Sequence, residues 1–314
     1  MLINQSKLYN EPEPRSKKDF SLKTDYFLPK KPKIEENGIV NLLYTLDKNL
    51  LNDYFVPYQY IRLFGESFVR KCKYKCKIII ARKEYKIVDK IKVKEFKKYG
   101  INENDEKLEV ILKGKAVEDM SWMFYDCKSL IKVDLSQFNT QNVTNMNSMF
   151  SFCENLIKVD LSLFNTQNVA DMESMFDGCK NLIKLDLSSF KTQNVRSMRD
   201  MFHHCKRLIK VDLSQFNTQN VTNLHGMFYY CENLIKLDLS MFKTQNVVDM
   251  SCMLSNCKSL TKIDFSSFNT QNVTDMGNIF YGCKSLIKVK RQNFNKAKID
   301  DKELRQSKLA IIEV

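Results

Sequence analysis

Seven cysteines stand 26 residues apart: Cys127, Cys153, Cys179, Cys205, Cys231, Cys257 and Cys283. Thiols so spaced could hold zinc, cross-link, or fill a core. Zinc sites use close pairs such as Cys-x-x-Cys, and Cys72/Cys76 and Cys252/Cys257 do not make that pattern. An odd count of seven argues against a disulfide ladder. The reading preferred is buried cysteine acting as a small apolar residue. All three histidines, His203, His204 and His225, fall in two middle units beside Arg196, Arg199, Tyr229 and Tyr230. Tyrosine and arginine are the residues that carry most binding energy at interfaces. These seven side chains are therefore candidate partner-binding residues, with an ordinary variable surface as the bland alternative. A metal site from the three histidines is the less favoured reading, because side-by-side histidines seldom converge on one ion. No metal or cofactor is expected.

Catalytic signatures are not found. There is no phosphate-binding glycine loop, no Gly-x-Ser-x-Gly, no His-Glu-x-x-His and no dinucleotide fingerprint. Eight glycines in 314 residues leave little room for cofactor loops. The chain is expected not to be an enzyme.

Charge is uneven. The formal net charge is +13, of which residues 1–116 carry +10, residues 117–289 zero and residues 290–314 +3. Lys71, Lys73, Lys75 and Lys77 alternate with Cys72, Tyr74, Cys76 and Ile78, the period of a half-buried strand. They form a candidate basic patch with Arg82, Lys83, Lys90, Lys92, Lys94, Lys97 and Lys98. Such a patch can bind nucleic-acid phosphates or an acidic membrane face. Lysines also keep an edge strand from pairing with another chain, and that reading is preferred. Lys17-Lys18 and Lys30-Lys31-Pro32-Lys33 match a two-part nuclear import pattern.

The elements that must position these residues come from the repeat. A fixed period of 26 residues signals a solenoid, one supersecondary unit stacked many times. In each unit a stretch such as Ile157 to Ser162 alternates apolar and polar residues, as a strand with one buried face does. The stretch Val169-Met172-Met175-Phe176-Cys179 has helical spacing, and Phe164 falls in the turn between. The expectation is an α/β fold: about seven strand-turn-helix units over 117–289, with a parallel sheet and right-handed crossovers. Columns of Lys158, Asp160, Ser162 and their equivalents should line the solvent face and pair by charge. The Thr-Gln-Asn turns, as at Thr140 to Asn142, should form a stacked polar ladder.

An N-terminal α+β cap is expected over 38–116. It has one helix over 38–57, from Ile39, Leu42, Leu43, Leu46, Leu50 and Tyr54, then strands at 71–78, 85–88 and 108–112. Residues 1–37, with four of the five prolines, read as a disordered basic arm. Residues 290–314 read as a degenerate, polar eighth unit that caps the stack.

The string Leu182-x-x-Leu185-Asp186-Leu187-Ser188-x-Phe190-x-Thr192-x-x-Val195-x-x-Met198-x-x-Met201-Phe202-x-x-Cys205 resembles the repeat of the BspA-like leucine-rich-repeat surface proteins. The likeness covers residues 117–289. Ile61 to Val69 also resembles a region preceding such repeats in some protist and giant-virus proteins. The family implies an arc used for adhesion or protein binding, with no catalytic residues to carry over. Bacterial members usually carry export signals and wall or lipid anchors, which are not evident in this sequence.

The expected function is a non-enzymatic repeat scaffold that binds a protein partner through an extended surface. The alternatives are a basic nucleic-acid-associated or nuclear protein and a cell-surface adhesin. No run approaches the ~18 apolar residues of a membrane span, and the first residues show no secretory pattern. A monomer in the cytoplasm is expected, with the nucleus or the cell surface as alternatives.

Overall fold

The computed structural model describes residues 38–46, 60–102, 104–114, 117–293 and 310–313. The expected arm (1–37) and most of the expected eighth unit lie outside the described residues, as do Leu50 and Tyr54 of the expected helix.

Where that helix was expected, the chain runs as strand β1 (Ile39–Thr45). Two readings fit this stretch by spacing. Ile39, Leu42, Leu43 and Leu46 recur at helical intervals, whereas Val40, Leu42, Tyr44 and Leu46 alternate. The alternating set is the buried one, because β1 is sandwiched between two strands: β6 (Lys107–Gly114) and β7 (Leu130–Gln137), both antiparallel to it. Tertiary pairing overrides the helical pattern.

The cap continues with β2 (Tyr60–Arg62), helix α1 (Glu66–Cys72), β3 (Cys76–Ile80), β4 (Lys83–Lys86), β5 (Lys90–Lys92) and a 3-10 segment (Val93–Tyr99). The strand order β4-β3-β6-β1-β7-β8, with β8 spanning Lys158–Asp160, joins the cap sheet to the repeats without a break. The strand β7 is the junction: antiparallel to β1 on one side, parallel to β8 on the other.

The α/β expectation fails in the repeats. Among the described residues the helical segments are α1 and the 3-10 segment, both in the cap. The Val-x-x-Met-x-x-Met-Phe-x-x-Cys stretch is a run of tight turns. Its backbone shows why. In one unit Met146, Ser148, Phe150 and Phe152 donate their N–H groups to Asp171, Glu173, Met175 and Asp177 of the next unit, at 3.0, 2.8, 2.9 and 2.7 Å. The alternate residues Met149, Ser151 and Cys153 close three-residue turns on Met146, Ser148 and Phe150. An α-helix would need each N–H for its own i−4 carbonyl. Here half of them are committed to the neighbour. Two residues per unit also take left-handed backbone, Ser148 (φ 53°) and Phe152 (φ 60°), then Ser174 and Gly178, then Asp200 and His204. A left-handed residue every fourth position ends any helix. Apolar residues three apart still all point inward, which is why the pattern imitated a helix.

Pairing between units is parallel, as expected, but it forms small separate sheets rather than one continuous sheet. Lys132, Val133 and Asp134 of β7 lie beside Lys158, Val159 and Asp160 of β8. Strands β9 (Lys184–Asp186) and β10 (Lys210–Asp212) pair in the same register, as do β11 (Lys262–Asn269) and β12 (Lys288–Asn293). A second line of parallel bridges joins Asp119, Asn145, Asp171, Ser197, Asn223, Asp249 and Asp275 in turn. Each of these seven accepts or positions the start of the turn run; Asn145 Oδ1, for example, caps the Asn147 N–H at 2.8 Å.

Equivalent side chains therefore stack. Phe124, Phe150, Phe176, Phe202 and Phe228 form one ring ladder with centroids 5.2–5.8 Å apart. Phe164, Phe190, Phe216, Phe242 and Phe268 form another at 6.2–6.5 Å. The seven ladder cysteines are buried beside them. Each thiol from Cys153 onward donates to a carbonyl 29 residues earlier, as Cys179 does to Phe150 at 3.2 Å. Burial pushes the Cys153, Cys179, Cys205, Cys231 and Cys257 thiols well above the ordinary cysteine range. They stay protonated and serve as packing with a weak donor.

The polar ladder expected at the Thr-Gln-Asn turns is present. Thr192 is buried; its hydroxyl donates to the Asn217 carbonyl (2.9 Å) and accepts from the Asn217 N–H (2.8 Å). Asn220 and Asn272 of these turns donate their side-chain amides to Gln193 and Gln245 carbonyls.

Candidate functional site

The residues that vary between units precede each cysteine, and their positions follow from the turn run. The column two before the cysteine reads Tyr125, Ser151, Asp177, His203, Tyr229, Ser255, Tyr281. The column one before reads Asp126, Phe152, Gly178, His204, Tyr230, Asn256, Gly282. The second column is the left-handed one. That conformation swings its side chain onto the same side as its neighbour's, so consecutive residues make one surface rather than two.

Four of the seven predicted partner-binding residues meet there. The His203 ring lies parallel to Tyr229, centroids 5.0 Å apart and planes 5° apart, and His204 parallel to Tyr230 at 4.8 Å and 7°. His203 and His204 meet edge-on at 4.2 Å, and Tyr229 and Tyr230 at 4.6 Å. The result is a two-by-two block of rings, each half-buried and open on one side. The His204 imidazole is held below the usual histidine range by burial and then by the neighbouring His203. Burial, followed by Tyr230, raises the Tyr229 phenol.

The other three stand apart from the block. The guanidinium of Arg199 rests on Asp200 (3.1 Å) and Glu173 (3.9 Å). His225 faces Ser251 Oγ (2.7 Å) and Asp249 (3.9 Å), away from the other two histidines. Arg196 is exposed. The three-histidine metal arrangement considered from sequence is not the one formed.

Two contributors were missed by sequence reasoning. Asp177 Oδ1 lies 2.7 Å from His203 Nδ1; the signal was its place in the His203 column, one unit earlier. Trp122, Tyr125 and Phe152 make a second aromatic group toward the cap, with centroids at 4.5 and 5.7 Å. Trp122 and Phe152 are among the exposed large apolar residues.

The basic stripe is not a strand of alternating lysines. Lys71 lies in the last turn of α1, Lys73 and Lys75 lie in the following turn, and only Lys77 is in β3. The alternation coincided with a helix end and a turn. Lys71 Nζ binds Asp119 (2.6 Å) and Ser121 (2.9 Å), tying α1 to the first unit. Lys77 pairs with Glu84, and Lys73 sits over the Tyr74 ring at 5.5 Å. Nor is β3 an edge, since it lies between β4 and β6; the edge strand is β4, which carries Lys83 and Lys86. On the repeat sheet, aspartates cap turns rather than pairing with the lysine column. Asp186, Asp212 and Asp238 accept from the N–H groups of Ser188, Ser214 and Ser240 at 2.9–3.0 Å. Those bonds hold Asp212 and Asp238 below the usual carboxylate range.

No helix among the described residues is long and apolar enough to cross a membrane. A family described as "Mycoplasma protein of unknown function, DUF285" matches residues 96–211 and 206–308. Two overlapping matches covering most of the chain mean that it belongs to that family. Among solved structures the chain is similar to a leucine-rich repeat protein from Bacteroides ovatus ATCC 8483, at 15% identity and a TM-score of 0.30. That likeness covers 63% of this chain and 57% of the other, so the chain spans little more than half the length of that relative. No curated protein matches the chain.

Proposed function

We propose that this chain is a non-enzymatic, leucine-rich-repeat-like solenoid of the BspA type that binds a protein partner. The observation that carries this reading is the ring block of His203, His204, Tyr229 and Tyr230. It is aromatic, half-buried and held by a frame whose backbone groups are bonded from unit to unit. Side chains pinned by stacking lose little rotamer entropy on binding. Aromatic and arginine groups with polar tips are the usual energetic centre of such contacts. A protein partner is favoured over nucleic acid because Lys71 and Lys77 are already ion-paired within the cap.

The test is quantitative recovery of bound protein by the intact chain against the Tyr229→Ser, Tyr230→Ser double variant and a Lys73→Gln, Lys75→Gln double variant. Loss of a discrete partner only with the tyrosine pair supports the proposal. Unchanged recovery there removes the ring block as the interface. Binding lost only with the lysine pair, and weakening steeply with salt, would instead indicate phosphate recognition.

A further inference from the structure

Among the described residues, Asp177, His203 and His204 are the group of three ligand-type side chains whose donor atoms converge, all within 4.8 Å of one another. We propose that these three side chains form a binding site for a divalent transition-metal ion of the zinc type. The site shares His203 and His204 with the ring block but does not require that a partner binds there.

Distances come first. Zinc bonds to imidazole nitrogen and carboxylate oxygen run to ~2.0–2.2 Å in tetrahedral sites, which sets donor atoms roughly 3.3 Å apart. Asp177 Oδ1 and His203 Nδ1 are 2.7 Å apart, and His203 Nδ1 and His204 Nδ1 are 3.2 Å apart. Small side-chain rotations would open the first distance as an ion enters.

Proton placement supplies the second argument. A neutral imidazole carries one N–H. If His203 Nδ1 donates to the carboxylate, its proton is not available to His204. If His204 Nδ1 also carries a proton, two N–H groups face each other. One cation in the centre serves all three lone pairs at once.

The frame supplies the third. His203 and His204 are consecutive, and in a strand or helix their rings would diverge. The left-handed backbone of His204, φ 55°, brings both to one side. Tyr229 and Tyr230 then brace them from the following unit. Asp177 arrives from the preceding unit at the same height. In that unit the position matching His204 is Gly178, which presents no side chain to it. The side chains of Asp177 and His203 are 13% and 23% exposed, covered enough to strengthen the attraction and open enough to admit an ion.

Two nitrogens and one carboxylate suit zinc, nickel, cobalt or copper rather than the all-oxygen shells of calcium and magnesium. Three protein ligands leave at least one position for water or for a donor from another molecule.

The test is calorimetric titration of the full-length chain with zinc chloride, and an absorption spectrum with cobalt(II). One ion per chain is expected, with affinity falling at least ~10-fold in Asp177→Asn and in His204→Gln. His225→Gln, outside the triangle, should bind as the native chain does. Cobalt should show nitrogen/oxygen ligand-field bands without thiolate charge transfer. In the native chain zinc should also protect His203 and His204, but not His225, from carbethoxylation, which needs no variant to fold. No binding, undiminished binding in Asp177→Asn, a thiolate band, or unprotected His203 and His204 would each overturn the assignment.

Discussion

The cap and the repeats bury similar side chains by opposite rules. In the cap, β1 gains its partners from β6 and β7, which lie on either side of it in antiparallel register. Tyr44, near its C-terminal end, is satisfied by one bond to the Leu63 carbonyl at 2.6 Å. In the repeats a unit satisfies only part of its backbone by itself. Phe176 lies between Phe150 and Phe202, Thr192 serves Asn217, and Cys205 reaches back to Phe176. A defect in the cap is thus shared among pairs of strands. A defect in the stack is passed to the unit on each side, which is the energetics of a one-dimensional array.

The largest expected effect is that of Phe176→Ala. Removing a fully buried ring from the ladder should cost ~3–5 kcal/mol. Amide exchange should then speed up across 143–220, on both sides of the cavity. Phe68→Ala, equally buried in the cap, should cost about as much by the same principle, but with lost protection confined to the cap sheet. Equal loss everywhere in both variants would break the contrast.

A smaller pair of changes sharpens it. Thr192→Val strips two bonds at once and leaves the Asn217 N–H and C=O unpaired, an expected cost of ~1–3 kcal/mol. Tyr44→Phe leaves only one carbonyl short and should cost ~1 kcal/mol. Urea midpoints of the two variants should differ in that order.

The smallest effect lies where the two regions meet. Burial alone would raise the Asp119 carboxyl, but hydrogen bonds from Lys71 and Ser121 hold it below its ordinary 3.8. A depressed carboxylate stabilises the fold above its unfolded value, and that contribution fades as pH falls through the folded one. The native chain should therefore lose this increment in acid below about pH 4. Lys71→Met should lose most of it already at neutral pH, giving a flatter acid profile. Thermal melts from pH 7 to pH 3 would show the difference, and parallel curves would refute the role of this pair.

Much of this was legible from residue spacing, and the failures have physical causes. The cysteine period announced that Asp119, Asn145 and Asp171 would lie side by side, because identical segments stack in one register. The helices did not form because a three-residue turn run and a helix bury the same positions. Nothing in the names Phe152, His204 or Tyr230 signals left-handed backbone, which non-glycine residues rarely adopt. The lysines at 71–77 looked like a strand because a helix end and a turn happened to continue the alternation. At the ring block, His203, His204, Tyr229 and Tyr230 were found by composition, but Asp177 was not, since its importance is only that it sits one unit below His203.

The sequence by itself determined which residues are equivalent and which face inward, since a repeated pattern of apolar residues admits one way of burying them all. The tertiary structure alone decided where backbone N–H groups go, and hence that turns replace helices. It also decided that two adjacent imidazoles and a carboxylate 26 residues away share one surface, because only bonding between units imposes the left-handed bend that turns them together.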